Sequence, residues 1–234
     1  MSWIAEGSVT HNLLEREFVL QVDGHNVPGV YWSPADGADR LVLLGHGGTA
    51  NKKADYIASV AKLLAREGIA SVAIDGPGHG DRVAPWKPVP GKFEEMWHAG
   101  GGTQTVLSDW RATLDFCEAE FGARPAGWWG LSMGTMMGLP VTASDDRIKV
   151  ALLGLMGTWG PNQEDLQSLA PQVQVPLRFL VQWDDEVVPR DKCLALFDLL
   201  GSQRKTMHVN PGLHSAVPMF EIRASVEYLS NHLK

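Results

Sequence analysis

Hydrophobic positions follow two alternating patterns from about residue 40 onward. Residues 40–48, RLVLLGHGG, form a short unbroken apolar run that ends in glycines, which is typical of a strand buried on both faces. Residues 56–68 instead place apolar side chains at every third or fourth position and stop at a glycine, which predicts a helix. Another apolar run follows at residues 69–80. Strands that alternate with helices predict a parallel sheet covered by helices on both faces.

The same pattern continues to the C-terminus, and a predicted antiparallel hairpin at residues 17–24 and 26–33 precedes it. Further strands are predicted at residues 125–130, 149–157, 175–183 and 204–212, and further helices at residues 105–122, 132–143, 164–170, 190–201 and 219–233. These elements predict an α/β fold with a mostly parallel, doubly wound sheet of about eight strands. At this length, we expect residues 1–234 to form a single domain.

The segment at residues 81–103 interrupts the alternation, because it lacks periodicity and is rich in Pro, Gly and Trp. A long irregular segment in a compact domain is more often a functional cover than a linker. We therefore expect a short cap-like loop insertion over the active site.

Composition and charge exclude several classes of protein. Hydrophobic residues make up 44% of the chain and charged residues 20%, near the averages of folded soluble domains. The net charge of −7, without a cluster of Lys and Arg, argues against nucleic acid as a partner. The chain shows neither a signal-peptide pattern nor eighteen consecutive apolar residues, so we expect a cytoplasmic protein that does not enter a membrane. Cys117 and Cys193 lie in helical segments and are predicted as buried thiols rather than a disulfide or zinc site.

The sequence GLSMG, residues 130–134, places Ser132 at a predicted strand-to-helix junction. In a chain with 25 glycines the pattern alone carries little weight, so its position decides the interpretation. A tight turn there lifts a serine hydroxyl above the carboxyl edge of the sheet, where parallel sheets bind their ligands. Ser132 is therefore the predicted nucleophile.

A serine nucleophile needs a neutral imidazole to take its proton and a carboxylate to orient that imidazole. Four histidines follow predicted strands or lie in loops, namely His46, His79, His98 and His214. His214 lies between the last strand and the last helix and is the predicted base, whereas His46 and His79 are expected to brace turns. The carboxylate is expected in the turn WDDEVVP, which offers Asp184, Asp185 and Glu186.

Five loops, GHGGT, DGPGHGD, GLSMG, WDDEVVP and GLHS, occur in an order that resembles the α/β-hydrolase superfamily across residues 17–232. The compact size is similar to its dienelactone hydrolase and small esterase branches. The resemblance implies an α/β-hydrolase fold and a triad of Ser132, Asp185 and His214, with Asp184 as the alternative acid. Dienelactone hydrolases carry cysteine where this chain has Ser132, so the resemblance favours the serine carboxylesterases.

The resemblance also implies an oxyanion hole made by two backbone N–H groups. One belongs to Met133, and the other to Gly48 in HGGT, with Thr49 as the alternative. Four tryptophans, Trp86, Trp97, Trp159 and Trp183, fall in loops predicted at the carboxyl edge, and as a group with Met136 and Met156 they suggest an apolar site. From this group, Trp86, Trp97, Met156 and Trp159 are the predicted substrate-binding residues of an apolar acyl or aryl site.

These features predict a serine hydrolase that cleaves carboxylic esters of small or aromatic molecules through an acyl-enzyme. No metal or organic cofactor is expected, since side chains and backbone supply every role. A thioesterase or peptidase with the same triad and a non-catalytic ligand receptor on this fold are the alternatives. The expected partner is a small-molecule ester, and the oligomeric state is left open.

Overall fold

The computed structural model describes residues 2–4, 7–10, 12–83, 87 and 91–234. Its strands are β1 Ser2–Trp3, β2 Ser8–Thr10, β3 Leu13–Val22, β4 His25–Pro34, β5 Leu41–Gly45, β6 Ala70–Ile74, β7 Ala126–Gly130, β8 Ile148–Gly154, β9 Leu177–Gln182 and β10 Lys205–Asn210. Its α-helices are α1 Asp55–Arg66, α2 Phe93–Ala99, α3 Gly102–Phe121, α4 Met133–Ser144, α5 Gln163–Leu169, α6 Arg190–Leu199 and α7 Met219–His232.

All described strands belong to one sheet with the order β1-β3-β4-β6-β5-β7-β8-β9-β10, and β2 pairs with β3 on the outer side. Strands β5 to β10 run parallel to one another, whereas β4 pairs antiparallel with both β3 and β6. The predicted mostly parallel sheet is confirmed. It has ten strands rather than about eight, because β1 and β2 are too short to leave a hydrophobic pattern in the sequence.

Successive residues of the central strands point into two separate cores, one on each face of the sheet. In β5, Leu43 belongs to the core beneath α3, α4 and α6, whereas Val42 and Leu44 belong to the core beneath α1 and α7. In β7, Trp128 and Trp129 divide in the same way. Burial on both faces explains why these strands are continuous apolar runs in the sequence.

Helix α4, which follows β7, packs unusually close to the sheet. A Cβ atom at Gly138 would lie 1.9 Å from Nε1 of Trp128, so only glycine permits this approach. Pro140 lies inside α4 and has no N–H for the carbonyl oxygen of Met136. Nδ2 of Asn162 donates to that oxygen at 3.1 Å, which replaces the missing helical hydrogen bond.

The segment at residues 81–103 contains regular structure, so its prediction as an irregular loop is wrong at two places. Residues Phe93–Ala99 form the helix α2, and α3 begins at Gly102, three residues earlier than expected. The helix α2 has only seven residues, and Trp97 is its one buried side chain. One buried position cannot produce the periodicity by which a helix is recognised in a sequence.

Candidate active site

Ser132 occupies the sharp turn between β7 and α4, with a left-handed φ of 58°. A non-glycine residue rarely adopts this conformation, and such strain is concentrated at functional sites. The flanking glycines permit the turn. A Cβ atom at Gly134 would lie 2.4 Å from the carbonyl oxygen of Gly45 in the adjacent strand β5. The turn therefore holds the serine side chain at the carboxyl edge of the sheet, as the sequence predicted.

Thr135, in the first helical turn of α4, connects the Ser132 turn to the end of β8 by hydrogen bonds. Its hydroxyl accepts the N–H of Gly154 at 2.8 Å and donates to the carbonyl oxygen of the same residue at 2.7 Å. The N–H of Ser132 donates to that carbonyl oxygen at 2.9 Å. Sequence reasoning missed Thr135, because a threonine inside a helical segment gives no signal of a contact with a distant strand.

His214 lies in the loop between β10 and α7, and its Nε2 is 2.9 Å from Oγ of Ser132. Its Nδ1 is 2.7 Å from Oδ2 of Asp185, a carboxylate whose side chain is 1% exposed. The contact with the carboxylate places the proton on Nδ1, which leaves the lone pair of Nε2 facing the serine hydroxyl. This arrangement can withdraw a proton from Ser132 as its oxygen attacks a carbonyl carbon.

The three acidic residues of the turn after β9 have different partners. Oδ1 of Asp185 accepts the N–H groups of Val187 and Val188, both at 2.8 Å, which orients the other oxygen toward the imidazole. Oδ2 of Asp184 accepts the N–H of Gly212 at 3.1 Å, and Oε2 of Glu186 accepts the N–H of His214 at 2.8 Å. Only Asp185 contacts the imidazole ring, and its two neighbours hold the backbone of the histidine loop.

The two segments that carry the predicted oxyanion donors leave the sheet from neighbouring strands. Strands β5 and β7 are paired with Gly45 opposite Gly130, so the HGGT loop and the Ser132 turn leave the sheet at one level. Met133 is the first residue of α4, and its N–H consequently has no acceptor within the helix. Gly48 lies in the loop after β5, directly beneath the ring of Phe93.

Two fully buried histidines, His46 at the start of HGGT and His79 outside it, contact the backbone of this loop. Nδ1 of His46 donates to the carbonyl oxygen of Gly47 at 2.9 Å, and its Nε2 accepts the N–H of Gly76 at 2.9 Å. Burial lowers the pKa of His46 to about 4, so its ring stays neutral near neutral pH. Both ring nitrogens of His79 face backbone carbonyl oxygens, Nδ1 that of Pro77 at 2.7 Å and Nε2 that of Gly48 at 2.9 Å. Both rings brace the loop, in agreement with the sequence-based expectation, while His98 lies exposed near Glu94 on α2.

Residues 41–224 match the sequence model of the alpha/beta hydrolase family. The chain belongs to this family. A comparison with curated proteins gave no match.

Solved structures agree with this membership of the alpha/beta hydrolase family. A PEG-bound cold-adapted esterase from an Arctic intertidal metagenomic library is 61% identical, with a TM-score of 0.96 and full coverage of both chains. An acetyl xylan esterase from Paenibacillus sp. R4 is 18% identical, with a TM-score of 0.76 over 99% of this chain and 88% of its own. Est1E from Butyrivibrio proteoclasticus, with bound ferulic acid, is 17% identical, with a TM-score of 0.72 over 92% of this chain and 98% of its own. The similarity to the acetyl xylan esterase and to Est1E, both under 25% identical, supports the shared fold and nothing further.

The predicted substrate-binding residues of this alpha/beta hydrolase differ in their surroundings. Trp86 lies outside the described residues. Trp97 is buried within α2 and not in a loop as predicted, and Met156 is also buried. Trp159, with 46% of its surface exposed, lies in the loop after β8. Sequence reasoning missed Phe93, an aromatic residue whose ring lies against Gly48 of the HGGT loop, because it lies in the segment interpreted as irregular.

A surface pocket of about 470 Å³ lies beside Trp97, between the start of α3 and helix α5. Its walls include Thr103, Leu107, Asn162 and Asp165, but neither Ser132 nor His214. The pocket is thus separate from the triad.

Within the described ranges, no group of three or more His, Cys, Asp or Glu side chains is arranged to hold a metal ion. No helix in this part of the hydrolase has the length and apolar character needed to cross a membrane. Cys117 and Cys193 are buried and unpaired thiols, and burial raises the pKa of each to about 12.

Proposed function

We propose that this alpha/beta hydrolase is a serine esterase in which Ser132, His214 and Asp185 form the catalytic triad. The observation that carries the proposal is the continuous contact from Oγ of Ser132 to Nε2 of His214, 2.9 Å, and from Nδ1 of His214 to Oδ2 of Asp185, 2.7 Å. The activity itself, hydrolysis of carboxylic esters, rests on the 61% identity to the cold-adapted esterase over the whole of both chains.

The geometry supports a two-step reaction. Oγ of Ser132 attacks the ester carbonyl carbon while Nε2 of His214 takes the hydroxyl proton, and the negative charge moves to the carbonyl oxygen. The N–H groups of Met133 and Gly48 stabilise that charge. The carbonyl π bond then re-forms, the bond to the alcohol breaks, and His214 protonates the departing alkoxide. Water, deprotonated by His214, hydrolyses the acyl-serine and regenerates the hydroxyl.

Asp185 keeps the imidazole in the required tautomer and stabilises its cationic form during each step. Because this carboxylate is buried and already accepts two backbone N–H groups, it is positioned before the substrate arrives. Catalysis is strengthened when such groups need no reorganisation during the reaction.

We further propose that residues 81–103 form a cover over the substrate within a single catalytic domain, and that the substrates are esters with small or aromatic acyl groups. The contact between Phe93 of α2 and the position of Gly48 supports this, since a side chain there would meet the phenylalanine ring. An aromatic ring beside the proposed oxyanion loop limits the space available to an acyl chain.

Labelling with a fluorophosphonate probe and hydrolysis of p-nitrophenyl esters of increasing acyl length test the proposal. The wild-type protein should be labelled at Ser132 and prefer short or aromatic acyl groups. The S132A variant should not be labelled, and its kcat should be lower by about 10⁴-fold or more. S168A, which removes a hydroxyl from the exposed side of α5, serves as the control and should keep both. Labelling or full turnover in S132A would refute the triad, and preferred hydrolysis of matched thioesters or amides would refute the substrate class.

A further inference from the structure

Tyr56, the second residue of α1, contacts the HGGT loop from a position that the proposed mechanism does not use. Its hydroxyl oxygen accepts the N–H of Gly47 at an N···O distance of 2.6 Å. The phenol ring lies 6.3 Å, centroid to centroid, from the ring of buried Trp129. Packing of the ring near Trp129 therefore fixes where the hydroxyl oxygen lies.

Three successive peptide groups of the loop are held by hydrogen bonds. The N–H of Gly47 is held by Tyr56, the carbonyl oxygen of Gly47 by His46 and by the N–H of Ala50, and the carbonyl oxygen of Gly48 by His79. In a trans peptide the N–H points opposite to the carbonyl oxygen. Fixing the carbonyl oxygen of Gly47 consequently fixes the direction of the N–H of Gly48, which belongs to the same peptide group.

Because of the contact with Tyr56, the N–H groups of Gly47 and Gly48 differ in whether they are already hydrogen-bonded. The N–H of Gly47 is already engaged by the phenol oxygen, whereas the N–H of Gly48 donates to no acceptor among the residues that the structure describes. A preorganised oxyanion hole needs such a free and rigid donor, because reorganisation during the reaction would cost part of the stabilisation.

We propose that Tyr56 is a positioning residue of the oxyanion loop: by accepting the N–H of Gly47, it holds the N–H of Gly48 in the direction required by the transition state. The inference rests on the proposed function of Ser132 and Gly48. The residue as a whole is 41% exposed, but burial around its hydroxyl group raises the pKa of Tyr56 to about 12, so the hydroxyl stays neutral over the pH range of an esterase assay.

The Y56F variant tests this role, since it keeps the ring near Trp129 and removes only the acceptor. Tyr56 is 41% exposed, so the substitution leaves the folded core intact. We expect kcat on a p-nitrophenyl ester to fall about tenfold and KM to change by less than about twofold, because the charge on the oxyanion develops only after substrate binding. The inhibition constant of a trifluoromethyl ketone, which forms a charged hemiketal with serine, should rise by the same factor as kcat falls.

Y228F is the matched control, because Tyr228 stacks on His232 in the C-terminal helix and lies outside the loop. It should leave kcat and the inhibition constant unchanged. If Y56F lowers the melting temperature but leaves both constants at their wild-type values, Tyr56 is only structural and the inference is wrong. Failure of the triad itself would be recognised separately, by activity that persists in S132A.

Discussion

Phe93 lies directly over Gly48. A Cβ atom added at Gly48 would approach Cε2 of the phenylalanine ring to 2.7 Å and Cδ2 to 3.0 Å. The short helix α2 thus contacts the loop that carries one of the two proposed oxyanion donors. A movement of this helix would be transmitted to the loop by direct contact, and a Cβ atom at position 48 would force the ring or the loop to shift.

The variant G48A should lower kcat/KM by about tenfold to a hundredfold, because the new methyl group displaces either the loop or the ring. Removing the ring in the double variant G48A/F93A should restore much of this loss. A double-mutant cycle on kcat/KM should give a coupling free energy of at least about 1 kcal/mol. Additive effects of the two substitutions would show that the contact does not control the loop.

The sheet, its order of strands and helices, and the position of Ser132 were predictable from the sequence. Strands buried on both faces leave unbroken apolar runs, and GLSMG follows one of these runs directly. The pairing of His214 with Asp185 rather than Asp184 followed from the resemblance to known hydrolases. Spacing alone could not separate two adjacent carboxylates, because the choice depends on how the turn after β9 directs each side chain.

The contacts that hold the site could not be predicted in the same way. Thr135 bonds to Gly154, nineteen residues away, and Tyr56 bonds to a backbone group rather than a side chain. Such contacts depend on three-dimensional proximity and leave no periodic pattern. The helix α2 was missed because seven residues with one buried side chain resemble a loop.

Thr135 should affect both stability and turnover. The T135V variant keeps the shape of the side chain but leaves the buried N–H of Gly154 without a partner, which should lower the free energy of unfolding by about 1–3 kcal/mol. Because the carbonyl oxygen of Gly154 also accepts the N–H of Ser132, kcat should fall as well. T135S retains the hydroxyl and should preserve kcat. Urea denaturation and ester hydrolysis measure the two effects, and equal kcat values for both variants would contradict a role in positioning Ser132.

Substitutions of the two adjacent aspartates, Asp184 and Asp185, should differ strongly in their effect on kcat. D185N replaces the charged oxygen facing Nδ1 of His214 and should lower kcat by about 10⁴-fold, because the amide favours the wrong imidazole tautomer. D184N keeps an acceptor for the N–H of Gly212 and should retain kcat within several-fold. Steady-state hydrolysis of a p-nitrophenyl ester by the two variants decides the assignment. The reverse order of activities would make Asp184 the acid.

The consecutive lysines Lys52 and Lys53 should contribute unequally to stability. Nζ of Lys52 is buried and bonds to Asp75 at 2.8 Å and to Asp81 at 2.5 Å. K52M would leave the fully buried carboxylate of Asp75 without its cation and should lower the free energy of unfolding by about 3–5 kcal/mol. K53M breaks only pairs at the surface and should cost less than about 1 kcal/mol. Urea denaturation of both variants measures the difference, and equal losses would show that burial of the Lys52 pair is unimportant.

His46 should make the folded state sensitive to acid. Its pKa is about 4 in the folded protein because the ring is buried, against an ordinary value of 6.5 in the unfolded chain. The unfolded state therefore binds a proton more readily as the pH falls from 6.5 to 4, and over this range the free energy of unfolding should decrease by up to about 3 kcal/mol. Above pH 7 both states carry a neutral ring, so this contribution should be constant. In the H46N variant, urea denaturation at a series of pH values should give a shallower decline below pH 6.5 than in the wild type, with parallel curves above pH 7. Curves that stay parallel down to pH 4.5 would show that His46 does not contribute to the acid sensitivity.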